Sequence, residues 1–444
     1  MGPSDAYGPV EQGRTYGWVH GGARPDIKPV GTNAAADWDA ALSIGMQSRT
    51  APAGRSYDVA VVTAKGARRW KLGHPWIYRS DVSRRPDGPA GAVRVEDHRG
   101  KRIGTALWSP ASEISLRMVD HDASVALDAE WWRHRIGTAI QRRESIANLT
   151  TAFRLIHGEG DGCPSLICDR YDRWLVVQLM SAGLEVFRDV IVDVLEELAH
   201  PAGILARNDV PLRAKEHLSV SVELLGGAVP DEVEVNEHGI RVLAAPWRGQ
   251  KTGAFLDQRE NRVLIGELAR GRALDCFSYH GSFALHLARR ADSVVALDVS
   301  AEALRRAGEN CVRNEITNVE LVEADAFDYL REQHRAFGEC FETIVLDPPA
   351  FAKSRASLPA AIRGYKEINL RALRLLTPGG LLFTASCSFH LTKPLFLEML
   401  QSAAADSGRR VALRAMTGQP IDHPEVITIP ETGYLKGALL EVLD

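Results

Sequence analysis

From Gln250 onward, short apolar runs alternate with helical segments, and each run ends on a polar group. The strand-like runs are Arg272–Phe277, Ser293–Asp298, Val319–Ala324, Thr343–Leu346 and Leu381–Ser386. Between them, Ala301–Asn314, capped by Ser300, and Tyr365–Leu376 carry the clearest helical spacing. Strand and helix in alternation predict a parallel, doubly wound α/β sheet. The terminal stretch Tyr434–Leu443 adds a strand that closes the sheet antiparallel. Thr343–Leu346 has no polar alternation, so it is expected to be buried on both faces. It stops at Asp347-Pro348-Pro349, where two prolines forbid both a continuing ladder and a helix.

Open α/β sheets bind ligands at the carboxyl ends of their strands. The groups delivered there are Asp275 with the turn to Gly281 and Ser282, then Asp298, Asp325, Asp347 and Ser386-Cys387-Ser388. Each aspartate singly is an ordinary turn former or helix cap; the series together points to a site. The first turn lacks Gly-x-Gly-x-x-Gly, which disfavours a pyrophosphate and hence NAD or FAD. S-adenosylmethionine carries no phosphate. Its charged tail can use Asp275 and the turn amides, its ribose Asp298, and its adenine amino group Asp325. An isolated buried Cys is usually a core residue. At this rim, a Cys387 thiolate can add to C6 of a pyrimidine and make C5 nucleophilic. Asp347 would then hold or protonate the cytosine N3 edge, with Pro348 and Pro349 as a stiff lip. No residue is singled out to remove the C5 proton; His390 is merely near in sequence.

The chain has 444 residues, room for roughly two to four domains. A formal net charge of −4 means that any RNA-binding surface must be local. Six scattered Cys without Cys-x-x-Cys spacing argue against a disulfide framework or a metal site and fit a cytoplasmic setting. No apolar run approaches membrane-spanning length. Residues 1–55 are Gly-, Pro- and Ala-rich, and are expected to be a disordered extension or to precede a true start at Met46. Residues 57–130 suggest a small β-rich module. Its segment Lys65 to Arg85 interleaves Lys65, Arg68, Arg69, Lys71 and Arg79 with Trp70, Trp76 and Tyr78. That is either a solvated basic face over core tryptophans or the cation-plus-aromatic composition of an RNA surface. A helix over Trp131–Ala147 leads into a central α+β unit, 131–248, with a hairpin at His238–Gly239 and an amphipathic helix from Phe187 to His200. The α/β unit occupies 249–444.

Several stretches together resemble the bacterial 23S rRNA cytosine-5 methyltransferase family. They are Gln250–Arg262, Asp275–Gly281, Val345–Pro349, Arg363-Gly-Tyr-Lys366, Ser386–Ser388 and Tyr434-Leu-Lys-Gly437. The resemblance runs from about Tyr57 to the C-terminus. It implies a PUA RNA-binding domain, a central α+β domain and a Rossmann-like domain that uses S-adenosylmethionine to methylate 23S rRNA. By position, it places Phe255, Asp257, Gln258, Arg259, Phe277, Ser278, Gly281, Asp298 and Asp325 at the cofactor, beside Asp275, Ser282 and Asp347. Cys387 falls at the nucleophile. Lys65, Arg68, Arg69, Lys71, Arg79, Arg363, Tyr365 and Lys366 fall on the RNA side with the two prolines. Many RNA cytosine-5 methyltransferases carry a second Cys where this chain has Pro349, so the base stays unassigned. Guanine-N7 and uracil-C5 methyltransferases share Asp-Pro-Pro, and an inactive assembly factor is a further alternative. Cys387 favours a pyrimidine carbon, and Ser388-Phe389 replaces the Asn-Pro usual after the uracil-type Cys. Monomer and homodimer both stay open.

Overall fold

The computed structural model describes residues 15–16, 57–352 and 354–444. The expectations for 1–55 thus fall outside the described residues, apart from Thr15–Tyr16.

Strands Val59–Val62 (β1), Trp76–Ile77 (β2), Val82–Arg84 (β3), Gly91–Glu96 (β4), Arg102–Trp108 (β5) and Leu116–Asp120 (β6) form one sheet, ordered β2-β6-β5-β4-β1-β3. The basic segment, which sequence pattern left without secondary structure, begins as a helix, Ala64–Lys71 (α1), and continues through β2 into β3. Thr63 caps it, its Oγ1 accepting from Gly66 N at 3.2 Å. A β-carbon on Gly66 would lie 3.2 Å from Ile77 and 3.3 Å from Asp81, so glycine lets α1 lie flush on the sheet.

The helix expected over Trp131–Ala147 is broken. Ala129–Gln141 (α2) ends early and a separate turn covers Glu144–Ala147. The break carries Arg143 inward, where its guanidinium meets Asp161 at 2.6 and 2.7 Å. Ala152–His157 (β7), Leu166–Tyr171 (β8), Trp174–Leu179 (β9), Gly203–Arg207 (β10) and Val222–Gly227 (β11) make a second sheet in sequential order. Helices α2 and Arg188–Ala199 (α3) pack together and bury their apolar sides in the same cluster as its strands. The hairpin Val233–Glu237 (β12) and Ile240–Ala244 (β13) turns at His238 and Gly239, both left-handed. It leans on the last unit: Arg241 N and Leu243 N donate to Asn314 and Asn310 at 2.7 and 3.2 Å.

In the last unit the helices are Arg259–Leu268 (α4), Ser282–Leu287 (α5), Ala301–Arg313 (α6), Ala326–Phe337 (α7), Leu358–Leu375 (α8) and Lys393–Ser407 (α9). The strands are Arg272–Cys276 (β14), Ser293–Asp298 (β15), Val319–Glu323 (β16), Phe341–Leu346 (β17), Leu376–Ser386 (β18), Val411–Thr417 (β19) and Lys436–Val442 (β20). Their spatial order is β16-β15-β14-β17-β18-β20-β19, with Thr15–Tyr16 antiparallel on the outer edge of β16. β14 to β18 are parallel, and β20 runs antiparallel to β18, as its position at the chain end suggested. β19 was not anticipated; it is an edge strand with no buried residue, so no apolar run announces it.

Ile344, Val345 and Leu346 are fully buried, with one apolar cluster on each face of the sheet. Burying each such side chain stabilises the fold by roughly 1.5–3 kcal/mol. The order reverses between β14 and β17, which opens a crevice at their carboxyl ends. Among the described residues, no helix is long and apolar enough to cross a membrane, and no group of three or more His, Cys, Asp or Glu could hold a metal ion.

Candidate functional site

The crevice begins at Asp275, fully buried near the end of β14. Its Oδ2 accepts from Ala284 N at 2.9 Å, while Oδ1 is buried without a hydrogen-bond partner. Burial pushes this carboxyl well above the usual carboxylate range. The turn that follows is left-handed at Phe277, Tyr279 and Gly281, with φ of 66, 50 and 78°. Such a conformation costs a non-glycine residue on the order of 1–3 kcal/mol and clusters at functional sites. At Gly281 a β-carbon would meet Ala307 Cβ at 3.0 Å, so only glycine lets the turn close on α6. Ser278 Oγ is buried and also unpartnered; half-buried Ser282 opens α5.

Asp298 ends β15 and ties two turns together, accepting from Tyr279 N and Ser300 N at 2.9 Å each. Asp325 is exposed and caps α7, its Oδ1 accepting from Phe327 N at 2.8 Å and Asp328 N at 3.2 Å. The half-exposed Phe255 ring stands edge-on to Tyr279 at 5.4 Å, with Lys251 Nζ 4.8 Å from its centre.

Across the crevice, Asp347 follows β17 directly. Gln258 Nε2 donates to its Oδ1 at 2.8 Å. Burial, then the neighbouring Asp257 charge, pushes its carboxyl up to about 6. Pro348 is buried and Pro349 exposed. Burial opposes ionisation of Asp257 too, but Lys251 Nζ at 2.6 Å and Tyr434 Oη at 2.8 Å hold it below the usual range. Its Oδ1 is a third buried oxygen without a partner. Cys387 follows β18 directly and is half-buried. Burial, then Asp347, pushes its thiol up. Ser388 beside it is fixed by Tyr365 Oη at 2.9 Å and by Ala352 N at 3.2 Å. Lys436 Nζ donates to Ser388 O at 2.7 Å and to Tyr434 O at 2.8 Å. Lys251, Tyr434 and Lys436 had no role from sequence pattern, although each lies inside a stretch that carries the family resemblance.

The other expected site residues divide between those engaged by the fold and those left on its surface. Arg259, expected at the cofactor, is buried with its guanidinium on Asp422 at 2.8 and 3.1 Å and on Glu260 at 2.7 Å. A buried cation must be paired, and the partner that satisfies it lies 163 residues on in the chain. Lys366, expected on the RNA side, pairs with Asp406 at 2.6 Å across α8 and α9. Tyr365 is fully buried beneath Ser388, and Arg363 is exposed. On α1, Lys65, Arg68 and Lys71 are exposed, with Lys65 Nζ 3.4 Å from Asp81, and the half-buried Arg69 pairs with the same carboxylate at 3.2 Å and covers Tyr78. Arg79 bonds the carbonyls of Ala111 and Ser112. The tryptophans are engaged internally: Trp70 stacks on His121 at 3.9 Å, and Trp76 donates to Glu159 at 2.8 Å. Next to α1, His74 Nε2 lies 2.9 Å from Glu431 Oε2 of the last unit.

Residues 60–121 match the PUA-like domain family, and residues 153–427 match the S-adenosylmethionine-dependent methyltransferase family. The chain is 38% identical over 396 residues to ribosomal RNA large subunit methyltransferase I of Shigella boydii serotype 18, covering 87% of this chain and 100% of that protein. It is 38% identical over 395 residues to the protein of that name from Cronobacter sakazakii, with the same coverage. A methyltransferase structure determined with SAH shares the fold at a TM-score of 0.75 and 21% identity, over 87% of this chain and all of the other. A PUA-like domain followed by a Rossmann-like sheet with these strand-end groups, matched over most of its length, makes this chain a member of the S-adenosylmethionine-dependent methyltransferase family.

Proposed function

We propose that this methyltransferase modifies C5 of a cytosine in 23S rRNA, with Cys387 as the nucleophile and Asp347 at the N3 edge of the base. The observation that carries this reading is the pair itself: a thiol and a carboxyl each directly follow neighbouring parallel strands, β17 and β18, at the rim of the crevice. The relatives named as large subunit rRNA methyltransferases support the substrate class.

S-adenosylmethionine, when bound, supplies an electrophilic methyl group on a sulfonium. Its chemistry fits the unpartnered oxygens Asp275 Oδ1, Ser278 Oγ and Asp257 Oδ1, which can receive an ammonium or bond hydroxyls, and the two carboxyl oxygens would repel a phosphate. An ammonium beside Asp275 would draw that carboxyl back to its ionised form. In this reading Phe255, Gln258, Phe277, Gly281 and Ser282 wall the site, Asp298 faces the ribose and Asp325 the adenine edge.

C5 of cytosine is unreactive until the ring is activated. The Cys387 thiolate forms a bond to C6, and the C5=C6 electron pair is delocalised toward N3, where the Asp347 carboxyl delivers a proton. The carboxyl, held near 6, keeps a transferable proton within reach of neutral pH. C5 then takes the methyl group. Loss of the C5 proton to a base restores C5=C6 and expels Cys387 as a thiolate, and the N3 proton returns to the Asp347 carboxylate. The target base must leave its stack to reach this rim. The exposed cations of α1, Lys65, Arg68 and Lys71, would hold the RNA backbone.

The test is methylation of 23S rRNA with S-adenosylmethionine, followed by nucleoside digestion and mass spectrometry. The proposal expects 5-methylcytidine. 7-Methylguanosine, 5-methyluridine or no methylated nucleoside would overturn it.

A further inference from the structure

The central unit reaches the wall of the crevice through one tyrosine. Tyr171 ends β8 and is fully buried, and its Oη accepts from Ala254 N at 3.1 Å. Ala254 precedes Phe255, whose ring stands edge-on to Tyr279 in the turn after β14. The same Oη lies 2.9 Å from Thr252 Oγ1. Thr252, also buried, donates to Asp169 Oδ2 at 2.5 Å, and Arg154 holds both oxygens of that carboxylate at 2.7 and 2.9 Å.

A threonine hydroxyl has one proton, and here Asp169 takes it. Tyr171 must then donate to Thr252, which leaves its own lone pairs for Ala254 N. The bonds therefore run in one direction and end on a paired carboxylate, and a fully satisfied buried network of this kind holds a single geometry. Apolar packing acts at the same place: Ala254 and Leu256 pack in one cluster with Tyr171, Val176 and Leu205 of the central sheet. From the other side, Arg262 Nη2 donates to Phe255 O at 3.1 Å, its guanidinium fixed on Glu237 at 2.6 Å. The pair is thus pinned at Ala254 N and at Phe255 O, and the half-exposed Phe255 ring is what it presents to the crevice.

We propose that Tyr171 is a positioning residue for the cofactor. It fixes Ala254, and through it the Phe255 ring, so that the central unit builds one wall of the S-adenosylmethionine site. The proposal rests on the reading that Phe255 lines that site. Tyr171 has no exposed surface and acts only through the segment it holds.

The experiment is S-adenosylmethionine calorimetry on the full-length protein, with urea unfolding to confirm the fold of each variant. Tyr171→Phe keeps the ring and its packing but leaves Ala254 N without its acceptor, and should raise the Kd about fivefold or more. Thr252→Val, which removes the acceptor of the Tyr171 proton, should act in the same direction, and Thr252→Ser, which keeps the hydroxyl, should restore binding. In a Phe255→Ala background, Tyr171→Phe should change the Kd by no more than about twofold, because the two residues act as one. A merely structural tyrosine would lower the urea midpoint and leave the Kd alone. An unchanged Kd in folded Tyr171→Phe, or effects of Tyr171→Phe and Phe255→Ala that simply add, would overturn the proposal. If Phe255→Ala by itself leaves the Kd at the wild-type value, the reading of Phe255 as a wall fails and the proposal falls with it. If Phe255→Ala raises the Kd and Tyr171→Phe does not, the proposal alone fails.

Discussion

Gln258 donates its side-chain amide to Asp347 Oδ1 at 2.8 Å, joining the segment ahead of α4 to the end of β17. Asn261 Nδ2 in turn donates to Gln258 Oε1 at 2.6 Å, so the amide has one orientation. Asp347 is therefore held before any base arrives. Gln258→Leu removes that hold and should lower kcat by about tenfold to a hundredfold, the scale of a misplaced reacting group. Stability should fall by about 1–3 kcal/mol for the stranded polar atoms. Steady-state kinetics and urea unfolding would measure the two effects separately.

Asp347 also makes a pH prediction. Its carboxyl lies near 6 in the folded chain against 3.8 unfolded, so the native state binds the extra proton between those values. Stability is then lost as pH rises through that window, by at most about 3 kcal/mol at roughly 1.4 kcal/mol per pKa unit. Asp347→Asn resembles the protonated form and lacks the penalty. Urea unfolding should find the variant and the wild type alike near pH 3.5, and the variant the more stable at pH 8.

The last unit was legible because its strands are apolar and its candidate site groups sit where those runs stop. Asp275, Asp298, Asp347 and Cys387 all fall at the ends of parallel strands for that reason. Side-chain direction was not legible. Arg259 directly follows two rim candidates in sequence, Asp257 and Gln258, yet its partner Asp422 is remote in the chain. Helix α1 was hidden because its buried contact is made by Gly66, which leaves no apolar stripe to detect. Trp70 and Trp76 looked available for base stacking, but their partners His121 and Glu159 come from other parts of the chain.

Arg259 and Asp422 form a buried pair, and Asp422 Oδ2 also accepts from Arg154 N at 2.8 Å in the central unit. Arg259→Met leaves a buried carboxylate without its cation and should destabilise the protein by about 3–5 kcal/mol. The Kd for S-adenosylmethionine, measured by calorimetry on folded protein, should change little, since the guanidinium is engaged away from the crevice. A Kd raised tenfold in a protein of normal stability would place Arg259 at the cofactor after all.

The exposed face of α1 should act through charge. Replacing Lys65, Arg68 and Lys71 with Gln should weaken 23S rRNA binding, and should reduce the slope of log affinity against log salt by about 2 if all three meet phosphates. Replacing Arg69 should cost stability more than it changes that slope, because, unlike the exposed Lys65 on the same carboxylate, it is half-buried between Asp81 and the Tyr78 ring. Filter binding across a salt series gives both numbers.

The central claim is that Cys387 bonds to C6 of a cytosine while C5 is methylated, and 23S rRNA tritiated at cytosine C5 tests it most directly. Wild-type protein with S-adenosylmethionine should release tritium to water in step with methyl incorporation, and folded Cys387→Ala should do neither. Methylation that persists in Cys387→Ala, or that proceeds in the wild type without tritium release, would contradict the account.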